Sequence, residues 1–140
     1  MPLIDTSLLA AYFCPEPLSA VAQRALAKAS PRLITPLVEV ELVSALAIKV
    51  RTRQIDTASA RKVLAEFERQ QADAIFLRRS LEDLDYRQAY EWLTQLQGTL
   101  RTADALHLAS AARLGEPLWT ADGPLAKEAA RLAVACRLFK

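Results

Sequence analysis

Apolar and polar residues are arranged along this chain so that short apolar runs separate long stretches of helical periodicity. Pro2–Ile4, Arg32–Thr35, Ala74–Arg78 and Pro117–Thr120 have the length and residue types of buried strands, with Val134–Phe139 as a candidate fifth. The intervening segments read as helix. Ala60, Val63, Leu64 and Phe67 recur at three- and four-residue spacing, as do Tyr86, Ala89, Tyr90 and Leu93, so each stretch turns one face to a core. Start signals agree with this division. Asp56 precedes the Thr57–Gln71 pattern, Ser80-Leu-Glu-Asp83 has the form of a capping box, and Pro124 suits the first turn of a last helix reaching about Leu132. Gly98 and Gly115 follow the ends of helical patterns, where a left-handed residue is often required. Strands alternating with helices predict an α/β fold, with a central parallel sheet of four to five strands flanked by helices.

Composition fits one domain spanning residues 1–140, since a chain of 140 residues that is 52% hydrophobic can build one sizeable core. Eighteen Lys and Arg against sixteen Asp and Glu leave a formal charge of +2. That excludes a broad basic field, so any nucleic acid must be gripped by a local patch. The two cysteines, Cys14 and Cys136, are far apart and form no CxxC pair, which implies neither a zinc site nor a disulfide framework and fits a reducing cytoplasm. The start Met-Pro-Leu-Ile-Asp lacks a basic leader region, and no run of roughly 18 apolar residues occurs, so a soluble, unexported protein without a membrane association is expected. Tyr12-Phe13 stand before Cys14, where a lipid-anchored cysteine needs small residues.

The candidate chemistry lies in carboxylates. Asp5 ends the first apolar run and Asp122 follows the fourth, and both precede helices. In an open parallel sheet, ligands collect outside the carboxyl ends of the strands where strand order reverses, so two such acids can converge. Asp104, in the first turn of the Thr102–Leu114 helix, and Glu41, within the Pro36–Val50 helix, can face the same crevice. Clustered carboxylates repel one another unless protons or a cation neutralise them. Hard divalent ions such as Mg²⁺ or Mn²⁺ take oxygen ligands and can activate water against a phosphodiester. A single histidine, His107, with no serine–histidine pair and no Gly-rich phosphate loop, leaves few rival chemistries.

Each Asp also has a structural reading, because Asp is a favoured helix cap and complements the helix dipole in a first turn. Glu41 differs: within Val38-Glu-Val-Glu-Leu-Val43 a carboxylate is costly to bury without a partner. Glu39 competes with it, since that helix is apolar nearly all round. A phosphatase with an Asp nucleophile would want a second Asp two residues after Asp5, where Ser7 stands. A non-catalytic alternative is a receiver-like Mg²⁺-binding module, which would want a lysine ending its last strand near the acids. Lys140 is terminal and poorly placed for this.

Four motifs in order, Leu3-Ile-Asp5-Thr-Ser7, Thr35-Pro-Leu-Val-Glu-Val-Glu41-Leu, Thr102-Ala-Asp104-Ala-Leu-His107-Leu-Ala-Ser-Ala and Leu118-Trp-Thr120-Ala-Asp122, resemble the PIN-domain family. The likeness is strongest to the small VapC-type toxins of toxin–antitoxin pairs and spans nearly the whole chain. It implies a Rossmann-like PIN fold, Mg²⁺ or Mn²⁺ as cofactor, and endoribonuclease activity. It matches Asp5, Glu41, Asp104 and Asp122 to the family's acidic positions, with Glu41-Leu42 followed by Ala45-Leu46 favouring Glu41 over Glu39. Thr6, Ser7 and Thr120 fall where the family often has hydroxyls that bond the carboxylates, though Ser7 as a helix cap and a solvated Thr120 are equally compatible. Gly123-Pro-Leu-Ala follows Asp122 where some relatives carry a further acid, which suggests a weaker second metal position. A degenerate PIN domain, binding without cutting, is the non-catalytic variant of this reading, and retention of all four acids disfavours it.

His107, three residues past Asp104, reads as a packing or hydrogen-bonding residue rather than a general base. RNA contacts are expected from Lys49, Arg51, Arg53, Arg61 and Lys62 around one helix–helix connection and from Arg101 beside the third motif, the alternative being a solvated charged surface. The resemblance further implies a homodimer and a small antitoxin partner. Apolar excess on the two central helices permits such interfaces.

Overall fold

The computed structural model describes residues 1–140. Five strands form one sheet, all parallel: β1 (Leu3–Ile4), β2 (Arg32–Ile34), β3 (Phe76–Arg78), β4 (Leu118–Thr120) and β5 (Cys136–Leu138), in the order β3-β2-β1-β4-β5. Seven helices connect them: α1 (Thr6–Phe13), α2 (Ser19–Ala27), α3 (Pro36–Arg51), α4 (Thr57–Ala72), α5 (Asp83–Leu93), α6 (Thr102–Leu114) and α7 (Gly123–Arg131). The chain first builds outward from β1 through β2 to β3, then crosses back to lay β4 on the other side of β1. Strand order therefore reverses between β1 and β4, which opens a crevice at their carboxyl ends.

The two-residue period of the strands sends neighbours to opposite faces. Ile4 and Ile34 enter one core with Leu8, Leu9, Val38, Leu42, Phe67 and Phe76, while Leu3, Leu33 and Leu118 enter the other with Leu108, Leu125 and Ala129. Helices α1 to α4 thus supply one layer, and α6 and α7 the other. Because both faces are covered, the strands are continuously apolar instead of alternating, which is why they were legible as short apolar runs. Each fully buried leucine contributes roughly 1.5–3 kcal/mol of burial.

Most element ends agree with the sequence pattern because the caps are local. Asp5, Thr35, Asp56 and Asp122 each accept a backbone N–H from their own helix, and Gly115 closes α6 at φ +67°. The start of α5 is a correction. Glu82, not Ser80, is its N-cap, and the Asp85 carboxylate accepts the Glu82 N–H at 2.8 Å. Asp85 is buried and fixed by Arg113 of α6 at 2.8 and 3.0 Å, so a contact between helices sets where α5 begins. Gly98 has the expected positive φ but does not close a helix: α5 ends at Leu93, and Gly98 lies in the loop beyond.

Candidate active site

Asp5 follows β1 and Asp122 follows β4, so both stand at the reversal of strand order. Asp5 is buried, and both of its carboxylate oxygens accept hydrogen bonds. It accepts the Leu8 N–H at 3.0 Å, the Ser7 hydroxyl at 2.8 and 2.9 Å, and the Thr120 hydroxyl at 2.6 Å. Ser7 Oγ in turn accepts the Ala121 N–H, and Thr120 Oγ1 accepts the Asp122 N–H. Ser7 is therefore not a helix cap and Thr120 is not solvated. Together they stitch the end of β1 to the end of β4. Burial pushes the Asp5 carboxyl above its ordinary value, against the opposing pull of these hydrogen bonds.

Glu41, one turn and a half into α3, turns toward α6. Its Oε1 accepts the Thr6 hydroxyl at 2.8 Å and lies 2.6 Å from His107 Nε2. Burial raises the Glu41 carboxyl, but the hydrogen bond and charge of His107, with Thr6, outweigh it and leave the carboxyl below its usual range. An ionised carboxylate only accepts, so Nε2 carries the proton of this contact whichever charge the ring has. His107 is buried and its Nδ1 has no partner. Glu39 goes elsewhere, to Arg78 Nε at 2.6 Å and to Gln71. The two glutamates that sequence phase left in competition are thus separated by their partners, one facing β3 and α4, the other the crevice.

Asp104 and Asp122 share an open cleft of about 380 Å³ lined by no apolar side chain except Pro124, together with Thr99 and Arg101. Asp104 accepts the Arg101 N–H at 3.3 Å and Asp122 the Leu125 N–H at 3.1 Å. Burial is the main cause raising the Asp104 carboxyl, and repulsion from Asp122 and Glu41 adds to it. Asp5, Asp104 and Asp122 all sit at helix starts, so the positive ends of α1, α6 and α7 offset that repulsion. Capping and membership of an acidic cleft are therefore compatible roles.

No three acidic, histidine or cysteine groups stand close enough, as placed, to share one ion. The donor set nonetheless has the chemistry of a hard-cation site: carboxylates and hydroxyls, with no thiolate, and a histidine already engaged by Glu41. Of the predicted basic residues, Arg51 and Arg61 line one groove between α3 and α4, and none of the α3–α4 set lines the acid cleft. Lys49 pairs with Glu16 at 3.0 Å, and Arg51 and Arg53 follow Glu41 by at least ten residues along or beyond α3. At roughly 1.5 Å per residue that sets them about 15 Å or more from Glu41. Arg101 alone among the predicted RNA contacts lines the acid cleft. Sequence reasoning missed Glu128, which is buried under the loop carrying Thr99 and Arg101. Nothing in its local sequence distinguishes it from a surface glutamate of α7.

Acidic side chains gathered at the reversal of an all-parallel sheet define an α/β protein with a polar cleft beyond its strand ends. The chain belongs to the PIN-domain family, whose model matches residues 3–131. Its fold is similar to that of Mycobacterium tuberculosis VapC20, described as a toxin cleaving the sarcin–ricin loop, at TM-score 0.73 and 20% identity over 91% of this chain and 95% of that one. The FitAcB structure from Neisseria gonorrhoeae matches at TM-score 0.71 and 18% identity over 97% and 96%. VapBC2 from Rickettsia felis, bound to a DNA fragment from its promoter, matches at 0.69 and 15% over 99% and 98%. No curated protein sequence matches the chain. No helix is long and apolar enough to cross a membrane.

Proposed function

We propose that this protein is a metal-dependent endoribonuclease and the toxin of a toxin–antitoxin pair. The observation that supports this reading best is that Asp5 and Asp122 stand just past the ends of the neighbouring strands β1 and β4, with Asp122 sharing a polar cleft with Asp104. Glu41, turned toward α6 through His107, is the fourth acid of the proposed set. The PIN-domain match and the toxin folds it resembles support it. These four acids would hold Mg²⁺ or Mn²⁺, with Thr6, Ser7 and Thr120 fixing the carboxylates from behind. A divalent ion there supplies charge stabilisation and activated water for phosphodiester hydrolysis.

The chain's own groups prepare the rest. Ser7 and Thr120 hold Asp5 in one orientation, and His107 and Thr6 hold Glu41. Arg101, which lines the cleft beside Asp104 and Asp122, offers a guanidinium to a substrate phosphate. No side chain acts as a nucleophile. Purified protein is expected to cut RNA with Mg²⁺ or Mn²⁺ and to stop with chelator, and the same ions are expected to raise its melting temperature. Absence of both effects sinks the reading. The spacing of the acids, with no three in reach of one ion, favours a second possibility, a binding module that takes RNA without cutting it. Cleavage in the first assay eliminates that alternative.

For partners, we propose an antitoxin and a second copy of this chain. Val40 and Val43 on α3, and Leu84, Tyr86 and Tyr90 on α5, are large apolar side chains left uncovered. Mass measured by light scattering, for the chain alone and with the product of a short neighbouring reading frame, tests both.

A further inference from the structure

Beneath the loop joining α5 to α6 lies a carboxylate that the acid cleft does not use. Glu128 of α7 is only 5% exposed, and its partners belong to that loop or brace it. Its Oε1 accepts the Thr99 backbone N–H and, at 3.3 Å, the Thr99 hydroxyl. Its Oε2 accepts Arg131 Nε at 2.6 Å, and Arg131 reaches through Nη1 to Gln95 at 3.3 Å. A buried charge persists only when paired and hydrogen-bonded, and here both oxygens are engaged.

The loop is seated directly on this carboxylate. Gly98 has φ +70°, and a β-carbon there would land on the Glu128 carboxyl group. The loop has little packing of its own, since Leu96 is 91% exposed and Leu100 is its one residue packed against the core clusters. Yet it delivers Thr99 and Arg101 to the cleft of Asp104 and Asp122. Arg101 is exposed and enters no ion pair within the chain, although its backbone N–H is held by Asp104.

We propose that Glu128 is a positioning residue for RNA binding: through Thr99 it fixes the loop so that Arg101 stands beside the acid cleft to take a backbone phosphate. This rests on the ribonuclease reading for its substrate. Arg131 holds the Glu128 carboxylate in place, and Gly98 is the residue that lets the backbone approach it.

The test is a double-mutant cycle on binding of a fluorescent single-stranded RNA, in chelator at low salt so that cleavage does not intervene. Glu128→Ala and Arg101→Ala are each expected to weaken binding about ten-fold, the size of one charge-assisted hydrogen bond. The double variant is expected to be no weaker than Arg101→Ala alone. Glu128→Gln, whose amide oxygen still accepts the Thr99 N–H, retains most of the affinity, and it keeps the test open if Glu128→Ala does not fold. Hydrogen exchange at the Thr99 amide speeds up in Glu128→Ala and stays unchanged in Arg101→Ala. Unaltered RNA affinity in Glu128→Ala, or losses that multiply in the double variant, overturns the proposal. Wild-type protein that binds RNA without cutting it removes the ribonuclease reading and leaves the positioning role to be judged by the same cycle. Wild-type protein that binds no RNA removes both.

Discussion

The four candidate acids are held in two different ways. On the inner side, Asp5 is buried with both oxygens hydrogen-bonded by Leu8, Ser7 and Thr120, and Glu41 is held between Thr6 and His107. On the outer side, Asp104 and Asp122 face an open cleft, each with one backbone hydrogen bond, beside a loop that depends on Glu128 for its place. Asp5 and Glu41 tie together segments distant in sequence, whereas Asp104 and Asp122 repel each other and are hydrogen-bonded only within the starts of their own helices. Asp5 and Glu41 are thus held from several sides at once, whereas Asp104 and Asp122 are each held by one backbone hydrogen bond.

Substitution of Asp5 should give the largest effect. Asp5→Asn is expected to lower metal-dependent RNA cleavage about 10³-fold or more, the upper range for loss of one preorganised electrostatic group. It should also lower the melting temperature, because the new amide nitrogen cannot accept from Ser7 or Thr120. Cleavage assays paired with thermal melts check both. Next come Asp104→Asn and Asp122→Asn, expected to lose about 10²-fold in cleavage. In the metal-free protein their melting temperature should hold or rise, since a like-charge repulsion is relieved. A fall as large as that of Asp5→Asn would erase the distinction between the two pairs.

Thr120→Val separates orientation from ligation. It removes one buried hydrogen bond to Asp5 and the acceptor for the Asp122 N–H, at a cost of about 1–3 kcal/mol. Denaturant unfolding should read that loss, accompanied by a decrease in cleavage smaller than that of either outer acid. The smallest effect concerns pH. The Thr99 N–H and then Arg131 hold the Glu128 carboxyl below its usual range. Its folded pKa lies under the unfolded one, so its contribution is present above the ordinary carboxylate range and lost as pH falls through the lowered value. The gap in melting temperature between wild type and Glu128→Ala should therefore be widest near neutral pH and close in acid, below the ordinary carboxylate range. A gap independent of pH would mean that Glu128 acts by packing and not by charge.

Much of this architecture was legible because its causes are local. Strands covered on both faces are short apolar runs, and helix starts at Asp5, Thr35, Asp56 and Asp122 are written in their own first turns. The order of the acidic motifs pointed to one crevice, since an acid placed just after a strand ends up at the sheet's carboxyl edge whatever lies between. The start of α5 was misplaced because Asp85 is held by Arg113, 28 residues away. The basic residues around the α3–α4 connection do stay near one another, Arg51 and Arg61 lining one groove, but only the fold decides that this groove is not the acid cleft.

What the sequence determined by itself is the α/β alternation, the helix caps that lie within one turn, and the placing of Asp5 and Asp122 just past strand ends. Helical phase did not separate Glu39 from Glu41, since that helix is apolar nearly all round, and the sequence favoured Glu41 only through the family resemblance; the tertiary structure gives each carboxylate its face, with Arg78 on one side and His107 on the other. The same holds for Glu128, which is ordinary in its own helix and becomes an anchor only when the Gly98–Thr99 backbone, 29 residues earlier, settles onto its carboxylate. Hydrogen bonds within a turn are fixed by spacing along the chain. Those that orient the site join residues distant in sequence, and packing alone brings them together.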